Sequence, residues 1–260
     1  MPELIIKKEN AIGFVIFSNP AKLNAVSYDM WKALPPALAA FEADPGIRVI
    51  VITGDGDKAF ISGADISQFE KARGSAEAQA MYNNAVAEAY AAPVTCTKPV
   101  IARIRGVCIG GGLGLAAACD LRFAADDAVF RMPAARLGLG YNFPGIRRFV
   151  QLLGQANAAD IFFSARKFDA ADAMRMGFLN RVVPAADLDR EVADYCTTLA
   201  ENAPLTIAAA KFTIRQTAED SDTRDMTKVQ GMIDACFASA DYKEGRTAFM
   251  EKRKPNFKGR

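Results

Sequence analysis

Gly110-Gly111-Gly112 is where this chain is best suited to meet a reacting atom. The triplet follows an apolar run ending at Ile109 and precedes a small-residue segment, 113–119. Three bare residues let a ligand atom approach the peptide N–H groups without meeting a Cβ. The Ala-rich segment predicts a helix, which puts those N–H groups at a helix N-terminus. Unpaired donors and a partial positive charge there favour an anion, or negative charge that develops during a reaction. Two chemistries fit: a phosphate cradle and an oxyanion hole.

The phosphate reading fails on its surroundings. Gly112-Leu113-Gly114-Leu115-Ala116-Ala117 formally matches G-x-G-x-x-A, but a helix from here runs only to about Cys119 before Asp120 and the next strand. That is short for the crossover helix of a dinucleotide fold, and Met132 stands where the ribose-binding acid is expected. A second small-residue segment, Lys58-Ala59-Phe60-Ile61-Ser62-Gly63-Ala64-Asp65-Ile66, follows the apolar run 49–52. Either segment alone reads equally well as an ordinary glycine turn. Together, at the ends of two candidate parallel strands, they offer two N–H donors to one point, as a thioester carbonyl needs when it gains negative charge.

The chain has no histidine. That excludes Ser-His-Asp and Cys-His nucleophiles, imidazole bases and His-ligated zinc. Acid–base work falls to Asp, Glu, Lys, Tyr or Cys. No metal site is expected. The five cysteines are scattered without a C-x-x-C pair and read as reduced, mostly buried thiols, so a cytoplasmic location is expected. A formal charge of +2 offers no global attraction to nucleic acid, and no apolar stretch approaches a membrane span.

The elements that must position these donors read as follows. Residues 4–8 and 12–17 form a hairpin around Glu9-Asn10, and 28–41 form a helix capped by Ser27. The β-branched run 49–52 reads as a strand buried on both faces, and 54–63 as a loop. A helix at 75–92 and strands at 99–104, 121–124 and 129–132 come next; from Pro144 the chain is mostly helical, broken by a strand-like 179–183. Short strands alternating with helices predict an α/β fold. The predicted organisation is a core over 1–200 carrying the site and a helical C-terminal region over 201–260.

With these residues in place the chain resembles the enoyl-CoA hydratase/isomerase (crotonase) superfamily. The resemblance is carried by Lys58-Ala59-Phe60-x-x-Gly63-Ala64-Asp65-Ile66 and Gly110-Gly111-Gly112. Asn24-Ala25, Cys119-Asp120, residues 170–184 and the tail from Phe249 to Phe257 fit the same pattern. It implies a spiral of ββα units with a helical C-terminal region, acyl-CoA thioester substrates, no cofactor beyond the CoA of the substrate, and homotrimers or dimers of trimers. It implies oxyanion donors at the backbone N–H of Ala64 and Gly111. Lys22, Leu23, Ala25, Asp65, Ile66, Gly110 and Pro133 would bind substrate, and Phe249 and Lys252 would reach a neighbouring subunit's CoA; a solvated basic tail is the alternative for Lys252.

Hydratases of this family place one glutamate two residues after the glycine triplet and another after a proline that follows a short strand. Here those positions are Gly114 and Ala134. Tyr141-Asn142 and the tail segments 230–232 and 241–245 resemble the branch that decarboxylates methylmalonyl-CoA, which has histidine where Ala64 stands. Losing CO₂ needs a stabilised enolate and an oriented carboxylate rather than a base, so Tyr141 and Asn142 are catalytic candidates. A packing role is the alternative for Tyr141, and surface salt bridges are the favoured reading for Arg136, Arg147 and Arg148.

Three readings follow. The favoured one is an acyl-CoA lyase that decarboxylates a short malonyl-type CoA. The second is a hydratase or double-bond isomerase using other groups, with Asp65 or Tyr141 as candidates, although Asp65 reads first as the cap of a helix beginning near Ile66. The third is a non-catalytic acyl-CoA-binding protein.

Overall fold

The computed structural model describes residues 2–65 and 76–260. A hairpin of β1 (Glu3–Glu9) and β2 (Ile12–Ser18) opens the chain, turning at Asn10, whose φ is 53°. Parallel strands β3 (Val49–Gly54), β5 (Val100–Ile104), β7 (Leu121–Ala125) and β10 (Arg181–Val183) extend it into a sheet of order β1-β2-β3-β5-β7-β10. A smaller sheet runs β4 (Ala59–Ile61), β6 (Val107–Ile109), β8 (Val129–Arg131) and β9 (Lys167–Asp169), parallel except for β9.

The two sheets follow from one repeated unit. Each turn lays one strand in the large sheet, one in the small sheet, and then a helix. The turns are β3-β4 with α2 (Ala76–Thr95), β5-β6 with α3 (Gly111–Ala118), and β7-β8 with α4 (Phe143–Ser164). This is the predicted ββα spiral. The β-branched run in β3 is explained by its two faces. Ile50 and Ile52 join the main core with Trp31, Leu34 and Phe41 of α1 (Tyr28–Ala43). Val49 and Val51 face Leu188, Val192 and Cys196 of α6 (Leu188–Ala200). Ser27 caps α1 as expected, its hydroxyl accepting from the Met30 N–H at 3.2 Å.

Two elements differ from the sequence reading. The expected loop 54–63 contains β4, and the expected helical stretch contains β9 before α5 (Ala170–Arg175). Each strand has three residues, too few to show an alternating period.

The C-terminal region comprises α7 (Pro204–Thr217), α8 (Met226–Ala238) and α9 (Ala240–Glu251). Lys211 of α7 fastens it to the core. Its Nζ donates to the carbonyls of Pro93 and Lys98 at 2.8 and 2.9 Å and pairs with Asp120 at 2.7 Å. The tail folds back: the Asp241 carboxylate accepts the N–H groups of Lys258 and Gly259, each at 2.7 Å. Among the described residues no helix is long and apolar enough to cross a membrane.

Candidate active site

The site begins with the pairing of β4 and β6. Because these strands are parallel neighbours, the loops leaving their carboxyl ends emerge side by side. Gly63 and Ala64 follow β4; Gly110 and Gly111 follow β6. The loops nearly touch, since a Cβ placed on Gly110, whose φ is 55°, would sit 3.9 Å from Gly63 Cα. Gly63 O accepts from Val26 N at 2.8 Å, and Asp65 N donates to Val26 O at 2.9 Å. Successive N–H groups of an extended chain point in opposite directions, so the Ala64 N–H is turned away from Val26. Gly111 is the first residue of α3, and its N–H has no intrahelical acceptor. Neither N–H takes a backbone acceptor among the described residues. The sequence reading attached the first donor to the strand at 49–52; the strand that aims it is β4.

Helix α3 lies directly on β4, for a Cβ on Gly112 would meet the Ile61 carbonyl at 2.5 Å. Two guanidinium groups gather the carbonyls at its far end. Arg122 donates to Cys119 O at 2.7 Å and to Phe178 O at 2.5 Å; Arg148 donates to Ala117 O at 2.7 Å and Cys119 O at 3.3 Å. Cations there complement the helix dipole, which leaves the positive end open at Gly111. Burial lowers the pKa of both groups, that of Arg122 to about 10. The expected surface salt bridge holds for Arg147, which pairs with Asp220 at 3.3 Å, but not for Arg148.

Both donor residues line a cavity of about 320 Å³. Ala64, Gly110, Gly111, Pro133, Tyr141 and Asn142 all line it, as the sequence reading places them. Ala134 lines it too, so one of the two missing carboxylates would have faced this space. No described lining residue carries a charge. The polar groups are hydroxyls and amides instead.

Tyr90 of α2 is the lining residue the sequence did not reveal. Its hydroxyl donates to the Gly111 carbonyl at 3.0 Å, and its ring stands edge-on to Trp31 with centroids 5.7 Å apart. The Tyr141 ring packs against Phe162 with centroids 5.0 Å apart, and its hydroxyl and that of Tyr90 converge on Gly114, 3.0 and 2.5 Å from where a Cβ there would sit. Burial raises both phenols; Tyr141 is pushed up to about 12, with the Tyr90 hydroxyl pulling the other way. Spacing of Tyr82, Ala85, Ala89 and Tyr90 marks the inward face of α2, so Tyr90 carried no signal beyond core packing. Asn142 caps α4, its Oδ1 accepting the Gly145 N–H at 3.0 Å, which commits that oxygen to the helix end.

The loop carrying Lys22, Leu23 and Ala25 lies beside the cavity rather than in its lining. It is stitched to the first donor loop: Ser62 Oγ donates to Lys22 O at 2.9 Å and Ser62 N to Leu23 O at 3.1 Å. Buried Asn24 anchors it, donating to the carbonyls of Asp55 and Ala59 at 2.9 and 2.8 Å. The Lys22 Nζ bridges both Asp65 oxygens at 2.9 and 2.8 Å, and Asp65 is 7% exposed. Asp65 is therefore paired outside the cavity lining, which removes it as the acid–base candidate. Ile66, and the helix that Asp65 was expected to cap, lie outside the described residues. Phe249 and Lys252 sit at the end of α9, exposed and away from the cavity.

Fold and site together define an α/β protein with two glycine-bearing loops at the ends of adjacent parallel strands, both lining one cavity. Residues 7–260 match the family model for enoyl-CoA hydratase/isomerase. The crotonyl-CoA hydratase of Syntrophomonas wolfei is 33% identical over 254 residues, covering 98% of this chain and 97% of the relative. The short-chain-enoyl-CoA hydratase of Clostridium acetobutylicum is 32% identical over 261 residues, covering 99% and 98%. The crystal structure of an enoyl-CoA hydratase/carnithine racemase from Magnetospirillum magneticum superposes with a TM-score of 0.92 at 33% identity, covering 100% of this chain and 97% of that one. The chain belongs to the enoyl-CoA hydratase/isomerase family.

Proposed function

We propose that the protein binds an acyl-CoA thioester with its carbonyl oxygen between the N–H groups of Ala64 and Gly111, and turns it over through the enolate. The observation that carries this reading is a pair of N–H groups with no backbone acceptor among the described residues, at the ends of adjacent parallel strands, on residues lining one cavity whose described lining holds no charged side chain. The named relatives are hydratases, which favours chemistry at the double bond of a short enoyl-CoA over the decarboxylation expected from Tyr141 and Asn142. With Gly114 and Ala134 in place of carboxylates, water activation and protonation fall to non-glutamate groups. A positioned acid or base contributes roughly 10²–10⁴ in rate, so hydration should be slow for this family.

Decarboxylation remains the second reading because the described lining holds no acidic side chain to repel a substrate carboxylate. Phe249 and Lys252, exposed at the end of α9, would complete the CoA site of a neighbouring copy in a trimer or dimer of trimers. The buried free cysteines fit a reducing, cytoplasmic setting.

Mass spectrometry of purified protein with crotonyl-CoA, malonyl-CoA and methylmalonyl-CoA tests these readings. Conversion of crotonyl-CoA to a hydrated or double-bond-shifted product is expected. CO₂ release alone would replace the first reaction by the second, and inertness toward all three would overturn the enolate reading.

A further inference from the structure

The position after the glycine triplet is not an empty place where a carboxylate is missing. A Cβ on Gly114 would meet the Tyr90 hydroxyl at 2.5 Å, its Cζ at 2.7 Å and the Tyr141 hydroxyl at 3.0 Å. The space into which a side chain at 114 would extend is held by two phenol hydroxyls. They come from different elements: Tyr90 from the middle of α2, and Tyr141 from the residue before the cap of α4. Both rings are fixed, one edge-on to Trp31 and the other against Phe162. Both line the cavity that Ala64 and Gly111 also line.

We propose that the Tyr141 and Tyr90 hydroxyls form the proton-transfer couple of this site, acting at the carbon next to the thioester carbonyl. The inference rests on the enolate reading above and names the group that handles its proton. Tyr141 is the catalytic member, facing the cavity with its hydroxyl beside Gly114. Tyr90 is the positioning member. Its hydroxyl bonds to the Gly111 carbonyl, so the residue whose N–H holds the enolate oxygen also holds the couple in register with it.

The step balances within these groups. The Tyr141 O–H bond breaks and its proton forms the new C–H bond with the enolate electron pair as the carbonyl re-forms. Tyr141 keeps its own O–H pair as phenolate, and the single Tyr90 O–H, donated to the Gly111 carbonyl at rest, rotates to donate to that phenolate instead. Solvent at the cavity mouth returns the proton. The other titratable groups beside the couple are Tyr82 on the same helix and Cys108 on β6. With no charged group in the described lining, the phenolate's main support is the Tyr90 hydroxyl.

Exchange of the α-hydrogens of butyryl-CoA in D₂O, followed by mass spectrometry beside calorimetric binding, tests the couple without requiring any particular net reaction. The intact protein should bind butyryl-CoA and exchange its α-hydrogens. Tyr141→Phe should lower exchange by about 10²-fold or more with binding unchanged. Tyr90→Phe should lower exchange at a fixed pH near 8 by roughly 10-fold or more, because one hydrogen bond to the phenolate is lost. Site-specific 3-fluorotyrosine at 141 keeps the ring and its packing, lowers the phenol's pKa, and should raise exchange several-fold at that pH. It should also recover part of the exchange lost in Tyr90→Phe, which a structural loss at Tyr90 would not allow. Exchange at the intact rate in the two Phe variants would overturn the couple while leaving the enolate reading in place. So would binding without exchange by the intact protein, or an unchanged exchange rate with the fluorinated residue. Failure to bind butyryl-CoA would overturn the enolate reading, and the couple with it.

Discussion

Gly114→Ala is the sharpest probe of how this site is built. A new Cβ would lie 2.5 Å from the Tyr90 hydroxyl and 2.7 Å from its Cζ, against an ordinary contact of about 3.5 Å. The ring cannot simply retreat, because Trp31 stands edge-on to it at 5.7 Å. Overpacking of this kind costs about 1–3 kcal/mol. Pushing the hydroxyl off the Gly111 carbonyl loses about 1 kcal/mol more. Alanine returns about 1 kcal/mol through its better helix propensity. The net expectation is a destabilisation of about 1–3 kcal/mol, read as a lower urea midpoint with unchanged slope. A double-mutant cycle isolates the cause. In a Tyr90→Ala background the clash is gone, and Gly114→Ala should be close to neutral. Equal costs in both backgrounds, or a stabilised single variant, would refute the claim that Tyr90 occupies this space.

Gly111→Pro removes one anion donor at a helix position that tolerates proline, and should slow turnover by roughly 10²–10³ in a steady-state assay of the protein's best acyl-CoA substrate. Gly114→Glu alone should not raise hydration of crotonyl-CoA, because Tyr90 blocks the carboxylate's path; a spectrophotometric hydratase assay decides this. Glu244 is held at about 2 by Arg253 and the Asn256 N–H, below its ordinary 4.5. A depressed carboxyl contributes stability above its unfolded value and loses it as pH falls toward 2. Glu244→Gln should therefore flatten the acid limb of stability measured by urea melts from pH 5 to about 2.

The two loops that meet at the cavity were legible in the sequence because bare backbone has a signature: Gly63 beside Ala64 and the triplet at 110–112 each follow an apolar run, and together they mark neighbouring strand ends. The large sheet was legible because a strand buried on both faces must be apolar throughout, as 49–52 is. The small sheet was not, since β4 and β9 are too short to show a period, yet β4 aims the first donor. Tyr90 and Arg148 escaped for a different reason. A tyrosine on the inward face of a helix looks like core, and an arginine near a helix start looks like surface. What each does depends on carbonyls more than twenty residues away. The ion pair of Asp65 was not legible either, because a sequence does not show that Lys22, 43 positions earlier, lies against it.

The anion donors are main-chain groups, and that divides the site into a durable half and a changeable half. Apart from proline, no substitution at 64 or 111 deletes an N–H; mutation reaches the donors only by bending the strands that aim them. Positions 90, 114, 134 and 141 have no such protection, and every proton-handling group argued for here is a side chain at one of them. Drift along this lineage can thus exchange one reaction for another while thioester activation persists. A laboratory that wants a new reaction on a CoA ester can leave the loops after β4 and β6 untouched and confine its library to those four side chains.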